Sequence, residues 1–216
     1  MTFRKMRILK RDMVFQKDLE EEQKFQEEDI EIREEADKEG DEVRGSARQH
    51  FTKGDMHFGR GEYDEAEGHF LNAVAADETH LDSHHRLGLL YMKRADFGNA
   101  ELSFSKLINL KKDPVYYSNL GAALYRQGRL IEAAEAYENA IALDDKRSER
   151  LQSLAQVYHE LGDGEKALKY FELASRRKPK NNDLKMILAD YYEHLGRLEE
   201  VIEILNRVLE SDPYNK

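Results

Sequence analysis

Apolar residues recur along the chain at helical spacing, in a pattern that itself repeats. The segments 86–110, 119–143 and 153–177 align with one another, because each has a leucine and a small residue near its start and apolar residues every three or four positions afterwards. The anchor leucines lie 33, 34 and 34 residues apart and are Leu87, Leu120, Leu154 and Leu188. This spacing predicts α-helices rather than strands, and a fixed period of this length is typical of repeat proteins.

Each period indicates two amphipathic helices joined by a tight turn. In the third period we predict helices over about 115–127 and 130–143. Gly128 lies between them and frees the turn, because glycine adopts backbone conformations that other residues avoid. Gly121 lies inside the first helix, where glycine costs about 1 kcal/mol relative to alanine. We therefore interpret Gly121 as a point where two helices touch.

This pattern resembles the tetratricopeptide repeat, a helix–turn–helix unit of about 34 residues. The third period supplies the signature residues Leu120, Gly121, Leu124, Gly128, Ala133, Tyr137 and Ala140. Other periods match at equivalent positions, although Ala95 replaces a turn glycine and His57 replaces an aromatic residue. The resemblance covers residues 47–216 and implies an all-α fold, a right-handed α-solenoid of five units. The predicted units are about 47–80, 81–113, 114–147, 148–181 and 182–215.

A charged arm, residues 1–46, is predicted to precede the solenoid and to carry most of the formal net charge of -10. Residues 1–17 hold six bases and one acid, whereas residues 18–46 hold fourteen acids and four bases. One interpretation is a solvated, partly helical or disordered arm. Another is that the acidic part folds over the groove of the first repeats and competes with a partner. Residues 1–17 are also a candidate for contact with an acidic membrane surface, which the adjacent acids oppose.

Composition excludes several classes of protein. The chain has no cysteine, so disulfide scaffolds and thiolate metal sites are ruled out. No run of about 18 apolar residues predicts a membrane span. The basic N-terminal segment lacks the apolar stretch of a signal peptide, so we expect a cytoplasmic protein. The acidic balance argues against a nucleic-acid partner.

Residues with catalytic or metal-binding potential do not form a recognisable site. Gly121 and Gly128 are not part of a phosphate-binding loop, which needs Lys and Ser or Thr after a strand. His80 and His84 are four residues apart, a spacing that suits a metal, but the repeat pattern favours a structural role for His84. We therefore predict no enzyme activity, no cofactor and no metal.

The resemblance implies that the first helices of the repeats line a concave groove that binds peptides. Repeats 1–3 mix basic, polar and apolar side chains there, and we predict partner contacts at Phe58, His85, Arg86, Leu89, Met92, Lys93, Asn119, Tyr125 and Arg126. The equivalent positions of repeats 4 and 5 are polar to acidic, which favours a peptide with acidic groups towards repeats 1–3. The clamp of this family for chaperone C-termini needs Lys and Asn where this chain has Phe51 and Asp55. A purely solvated groove is the other interpretation.

The sequence thus predicts a non-catalytic interaction scaffold or adaptor that binds a peptide segment in the groove. The alternative is a structural protein that assembles with itself. The last repeat ends where a sixth would begin, and it leaves an apolar face for pairing. We predict this face to consist of Val201, Ile202, Leu205, Val208 and Leu209.

Overall fold

Helices in pairs make up the fold of residues 40–211, which are the residues that the computed structural model describes. Helix α1 covers residues 40–60 of this part. It is followed by α2 (Tyr63–Ala76), α3 (Leu81–Lys93), α4 (Phe97–Leu110), α5 (Pro114–Arg126), α6 (Leu130–Leu143), α7 (Ser148–Glu160), α8 (Gly164–Arg177), α9 (Asn182–His194) and α10 (Leu198–Ser211). Each helix packs against the next along the chain, and the pairs stack into the predicted α-solenoid.

Short polar side chains fix where several helices begin. Asp96 accepts a hydrogen bond from the backbone of Asn99 at the start of α4, and Asp113 caps α5 ahead of Pro114. Such caps satisfy backbone donors that have no partner inside the helix. The bounds of α5 and α6 agree with the helices predicted at 115–127 and 130–143, so the two-helix repeat is confirmed.

The turns inside the repeats require a left-handed backbone. Gly128 has φ of 75°, as its predicted role in the turn demands. Ala95 occupies the equivalent turn of repeat 2 with φ of 59°, and no other non-glycine residue in the described ranges has a positive φ. A left-handed conformation costs a residue with a Cβ atom about 1–2 kcal/mol.

Ala95 is therefore a strained position, and Ala95→Gly is expected to stabilise the protein by about 0.5–1 kcal/mol. The gain is smaller than the strain because glycine also has more freedom in the unfolded chain. Gly128→Ala is the matched reverse change and should destabilise by about 1 kcal/mol. Thermal melting of both variants checks the pair, and a lower melting temperature for Ala95→Gly would contradict it.

Close contact between the two helices of a repeat depends on small residues. A Cβ atom on Gly121 would lie 3.0 Å from the ring of Tyr137, which confirms Gly121 as a contact point. A Cβ atom on Gly88 would lie only 2.4 Å from the ring of Phe104. The second helices contribute fully buried alanines at the equivalent positions, namely Ala66, Ala100, Ala133 and Ala167. Small residues on both helices therefore allow large rings to fill the core.

The first helix extends past the predicted start of the solenoid at residue 47. Residues 40–46 are helical and continuous with α1, although their side chains are mostly exposed. Arg44 and Asp41 form an ion pair one turn apart on this extension. Residues 1–39, which include the basic segment and most of the acidic segment, lie outside the described residues.

The apolar face predicted for the last helix needs a correction. Val208 is buried, and Val201 packs against the core that α8 and α9 share. The exposed apolar stripe of α10 instead consists of Leu198, Ile202, Leu205 and Leu209. The sequence misassigned the face because the apolar side of α10 is broad and only one edge of it packs against the core, and periodicity alone did not locate that edge.

Candidate functional site

The groove formed by the first helices α1, α3, α5, α7 and α9 begins with a cationic corner around Phe58. The ring of Phe58 is half-buried and packs with Phe70. The guanidinium carbon of Arg86 lies 5.4 Å from its centroid, and the Lys93 ammonium lies 6.0 Å away. Arg86 also forms a 2.8 Å ion pair with Asp55, which offsets its charge. Lys93 is exposed and has no carboxylate partner among residues 40–211, so it carries most of the available positive charge here.

His85 and Asn119 connect the second and third repeats. The side-chain amide of Asn119 donates a hydrogen bond to Nε2 of His85 over 3.0 Å. Burial lowers the pKa of His85, and the positive charge of Arg86 lowers it further, so the ring accepts this bond in its neutral form at pH 7. Asn119 is therefore held in one orientation by its neighbour.

The remaining predicted residues form the floor and one edge of the groove. Leu89 and Met92 are half-buried against the core around Phe104. Tyr125 donates a hydrogen bond from its hydroxyl to Glu160 of the next repeat, and this bond is the main cause of the raised pKa of Tyr125. Arg126 is exposed, with its guanidinium carbon 4.8 Å from the centroid of the Phe97 ring. The structure thus places the predicted residues on α1, α3 and α5, and internal contacts orient most of them.

Sequence reasoning missed two neighbouring cavities on repeats 3–5. The smaller has a volume of about 290 Å³ and is lined by Tyr125, Tyr137, Gln152, Ser153, Gln156, Phe171 and Ile187. The larger has a volume of about 450 Å³ and is lined by His159, Gly164, Ile187, Asp190, Tyr191, His194 and Leu195. Ile187 lines both cavities and is 39% exposed, so the two are adjacent. The sequence did contain a signal for these cavities. Met186 and Ile187 of α9 are apolar at the repeat positions where α3 has His85 and Arg86.

The wall of the larger cavity contains a polar group without a partner. Tyr191 packs between His159 and Phe171, with ring centroids 5.3 and 5.2 Å away. Its hydroxyl is buried, and no atom in the described part of the chain hydrogen-bonds to it. Burial also raises the pKa of Tyr191. A buried hydroxyl without a partner costs about 1–3 kcal/mol.

Charge changes sign along the groove. Lys93 and Arg126 on α3 and α5 are exposed bases, and no ion pair between described residues involves either of them. Asp183, Asp190 and Glu193 on α9 are exposed acids, and none of them pairs with a base within 40–211. The groove is therefore basic at repeats 2 and 3 and acidic at repeat 5.

The histidines that suggested a metal site have structural contacts instead. His80 caps α3 by accepting from the backbone of Ser83, and Nε2 of His84 lies 2.9 Å from the carbonyl oxygen of Glu78. Between residues 40 and 211, no group of three or more histidine, aspartate and glutamate side chains is arranged to hold a metal ion.

Similarity to known proteins agrees with this architecture. Tetratricopeptide repeat profiles match residues 85–148, 124–191 and 159–215, which together make up more than half of the chain. Mouse protein O-mannosyl-transferase TMTC1 is 30% identical over 148 residues, which are 66% of this chain and 16% of that protein. The wheat Hsp70-Hsp90 organizing protein is 39% identical over 96 residues, which are 43% of this chain and 16% of that protein. The chain therefore spans about a sixth of the length of either relative.

The crystal structure of MamA superposes with a TM-score of 0.72 at 23% identity, covering 79% of this chain and 96% of that one. In the region that the structure describes, no helix combines the length and apolar character needed to cross a membrane. The repeat period, the paired helices with small residues at their contacts, and the profile matches lead to one assignment. The chain belongs to the tetratricopeptide repeat family.

Proposed function

We propose that this protein is a non-catalytic interaction module that binds an extended or helical peptide segment in the groove of the first helices. Tetratricopeptide repeat proteins generally mediate protein–protein interaction. The single observation that best supports groove binding here is the exposed pair of cations, Lys93 and Arg126, above a floor of half-buried apolar side chains. Acidic groups on the partner would meet these cations, because complementary charge favours both encounter and specificity.

Chaperone tails are not the partner that we propose, despite the similarity to the Hsp70-Hsp90 organizing protein. The tetratricopeptide repeat clamp for chaperone C-termini needs Asn at the position of Asp55. The carboxylate of Asp55 instead lies beside Arg86. Because Arg86 is already paired with Asp55, it is not free to bind a terminal carboxylate. An internal acidic segment that reaches Lys93 and Arg126 does not depend on Arg86.

A short-peptide library displayed on phage tests the proposal with the full chain as bait. The double variant Lys93→Glu/Arg126→Glu should weaken the selected peptides at least about tenfold, which corresponds to about 1.4 kcal/mol. Lys106→Glu/Lys169→Glu is the matched control, because it changes the net charge equally on exposed positions of the second helices α4 and α8. Equal loss of binding in both variants would contradict groove recognition.

Self-assembly through α10 is the second candidate, and the repeat geometry favours it. Leu168 and Phe171 of α8 are buried beneath α9. Their equivalents 34 residues later, Ile202 and Leu205, are 60% and 37% exposed. In each earlier repeat, the corresponding face of the second helix is covered by the first helix of the next repeat, whereas in α10 this face is exposed. The α10 helix of a second copy would cover it by two-fold pairing.

Sedimentation equilibrium of the full chain tests this second candidate. We expect a reversible dimer for the wild type and a monomer for Ile202→Glu, because a charge on the stripe would be buried in the pair. Leu102→Glu is the control, since Leu102 is an exposed leucine of α4 outside the stripe. A wild type that remains monomeric as its concentration rises would rule out this candidate.

A further inference from the structure

The order of charges in the N-terminal arm mirrors the order of charges along the groove. Residues 18–39, which adjoin α1, carry twelve acids and three bases, and residues 1–17 carry six bases and one acid. In the groove, the bases Lys93 and Arg126 lie on the repeats nearer α1, and the acids Asp190 and Glu193 lie on α9. If the arm runs along the groove from α1 towards α9, its acidic segment lies over Lys93 and Arg126. Its basic segment then lies over Asp190 and Glu193.

We propose that residues 1–39 of this chain occupy its own groove, with the acidic segment over α3 and α5 and the basic segment over α7 and α9. The inference deepens the proposed function, because the arm would compete with the acidic partner for the same cations. It also assigns the two missed cavities to apolar side chains of the basic segment, which includes Phe3, Met6 and Leu9 among its bases.

The length of the arm permits this path. Packed helices lie about 8–10 Å apart, so five repeats span roughly 50 Å along the groove. An extended chain rises about 3.3 Å per residue, so the 39 residues before α1 could reach more than twice the length of the groove. Enough chain therefore remains for the turn that the arm must make at the start of α1. A compact or partly helical path is therefore also long enough.

The cavities suit the basic segment better than the acidic one. Ile187, Tyr191 and Leu195 give the larger cavity an apolar wall, and Asp190 on its lining can pair with a lysine or arginine. A methionine or phenylalanine side chain would fill the apolar space while a neighbouring base meets Asp190.

Disulfide trapping tests the inference cleanly, because the full chain contains no cysteine. We expect the double variant Met6→Cys/Ile187→Cys to form an intrachain disulfide under mild oxidation at least about tenfold faster than Met6→Cys/Leu102→Cys. Leu102 is 68% exposed on the second helix α4, so its cysteine is accessible but lies away from the groove. Phe25→Cys/Lys93→Cys should also link rapidly, whereas Met6→Cys/Lys93→Cys should link slowly, because the proposed register keeps Met6 near α9.

The inference would be overturned if Met6→Cys/Ile187→Cys and Met6→Cys/Leu102→Cys formed disulfides at equal rates. It would also be overturned if every disulfide joined two chains rather than two positions of one chain. Linking should slow in high salt, because the charge pairing between arm and groove is partly exposed. The trapped Met6–Ile187 chain should bind the selected library peptides more weakly than its reduced form. If trapping fails while those peptides still depend on Lys93 and Arg126, the proposed function stands and the arm is elsewhere. If trapping succeeds and the full chain selects no peptide, the arm blocks the groove, and the proposed partner class is wrong only if the variant Glu27→Lys/Glu28→Lys/Asp29→Lys, which weakens the arm, also selects none.

Discussion

Replacing Phe171 with alanine is expected to destabilise the C-terminal repeats by about 3–5 kcal/mol. Phe171 is 3% exposed and joins α8 to the core of the last repeat, where it packs with Leu184 and Leu188. Its ring centroid also lies 5.2 Å from that of Tyr191. Truncation would leave a cavity that these side chains fill only in part, because α7, α8 and α9 are all fixed by other contacts.

The loss should be local, because each repeat of a solenoid contacts only its neighbours. Amide hydrogen exchange in Phe171→Ala should accelerate in α9 and α10 far more than in α3 and α4. Leu102→Ala is the control and should change the free energy of unfolding by less than about 0.5 kcal/mol, since its side chain is exposed. Uniform acceleration along the chain, or none, would contradict the expected coupling between repeats.

Gly88→Ala is expected to destabilise the protein by about 2–3 kcal/mol, the second largest effect. The added methyl group would lie 2.4 Å from Cε1 of Phe104, and that ring is fully buried against Leu107 and Ala123. Overpacking of this kind costs about 1–3 kcal/mol and outweighs the better helix propensity of alanine. Either α3 must shift relative to α4 or the ring must leave its preferred position.

Gly68→Ala provides a matched control for Gly88→Ala. Gly68 lies in α2, is exposed, and would have no atom within 4 Å of its new Cβ. We expect it to gain up to about 1 kcal/mol from helix propensity alone. Chemical denaturation of both variants measures the difference, and Phe104→Leu in the Gly88→Ala background should restore part of the loss. Equal stability of the two glycine variants would show that the helices do not meet where the structure places them.

The helix pairs could be predicted from sequence because one period constrains every repeat at once. Leu120, Gly121 and Gly128 each mark the same place in successive units, so local errors are corrected by the neighbouring repeats. The confirmed bounds of α5 and α6 follow from this redundancy. Ala95 was recognised as an exception, but its positive φ depends on the turn geometry that the remaining contacts impose.

Details of the groove were less predictable because they depend on contacts between repeats. The pairing of Arg86 with Asp55 and of Asn119 with His85 follows from how far one first helix is shifted along the next. Periodicity fixes which residues share a face but does not fix that shift. Ile187 was overlooked because an apolar residue at helical spacing is usually part of the core, whereas here it lines two cavities. Val201 and Val208 were assigned to the outside of α10 because periodicity locates its apolar face but not the edge of that face that packs against the core.

Hydrogen exchange of the full chain with and without a library-selected acidic peptide tests groove binding most directly. If the first helices form the binding surface, the peptide should slow exchange in α3 and α5 and leave α4 and α6 unchanged. The Lys93→Glu/Arg126→Glu variant should lose this protection at the same peptide concentration. Protection confined to α4 and α6, or protection that survives in this variant, would show that the peptide binds elsewhere.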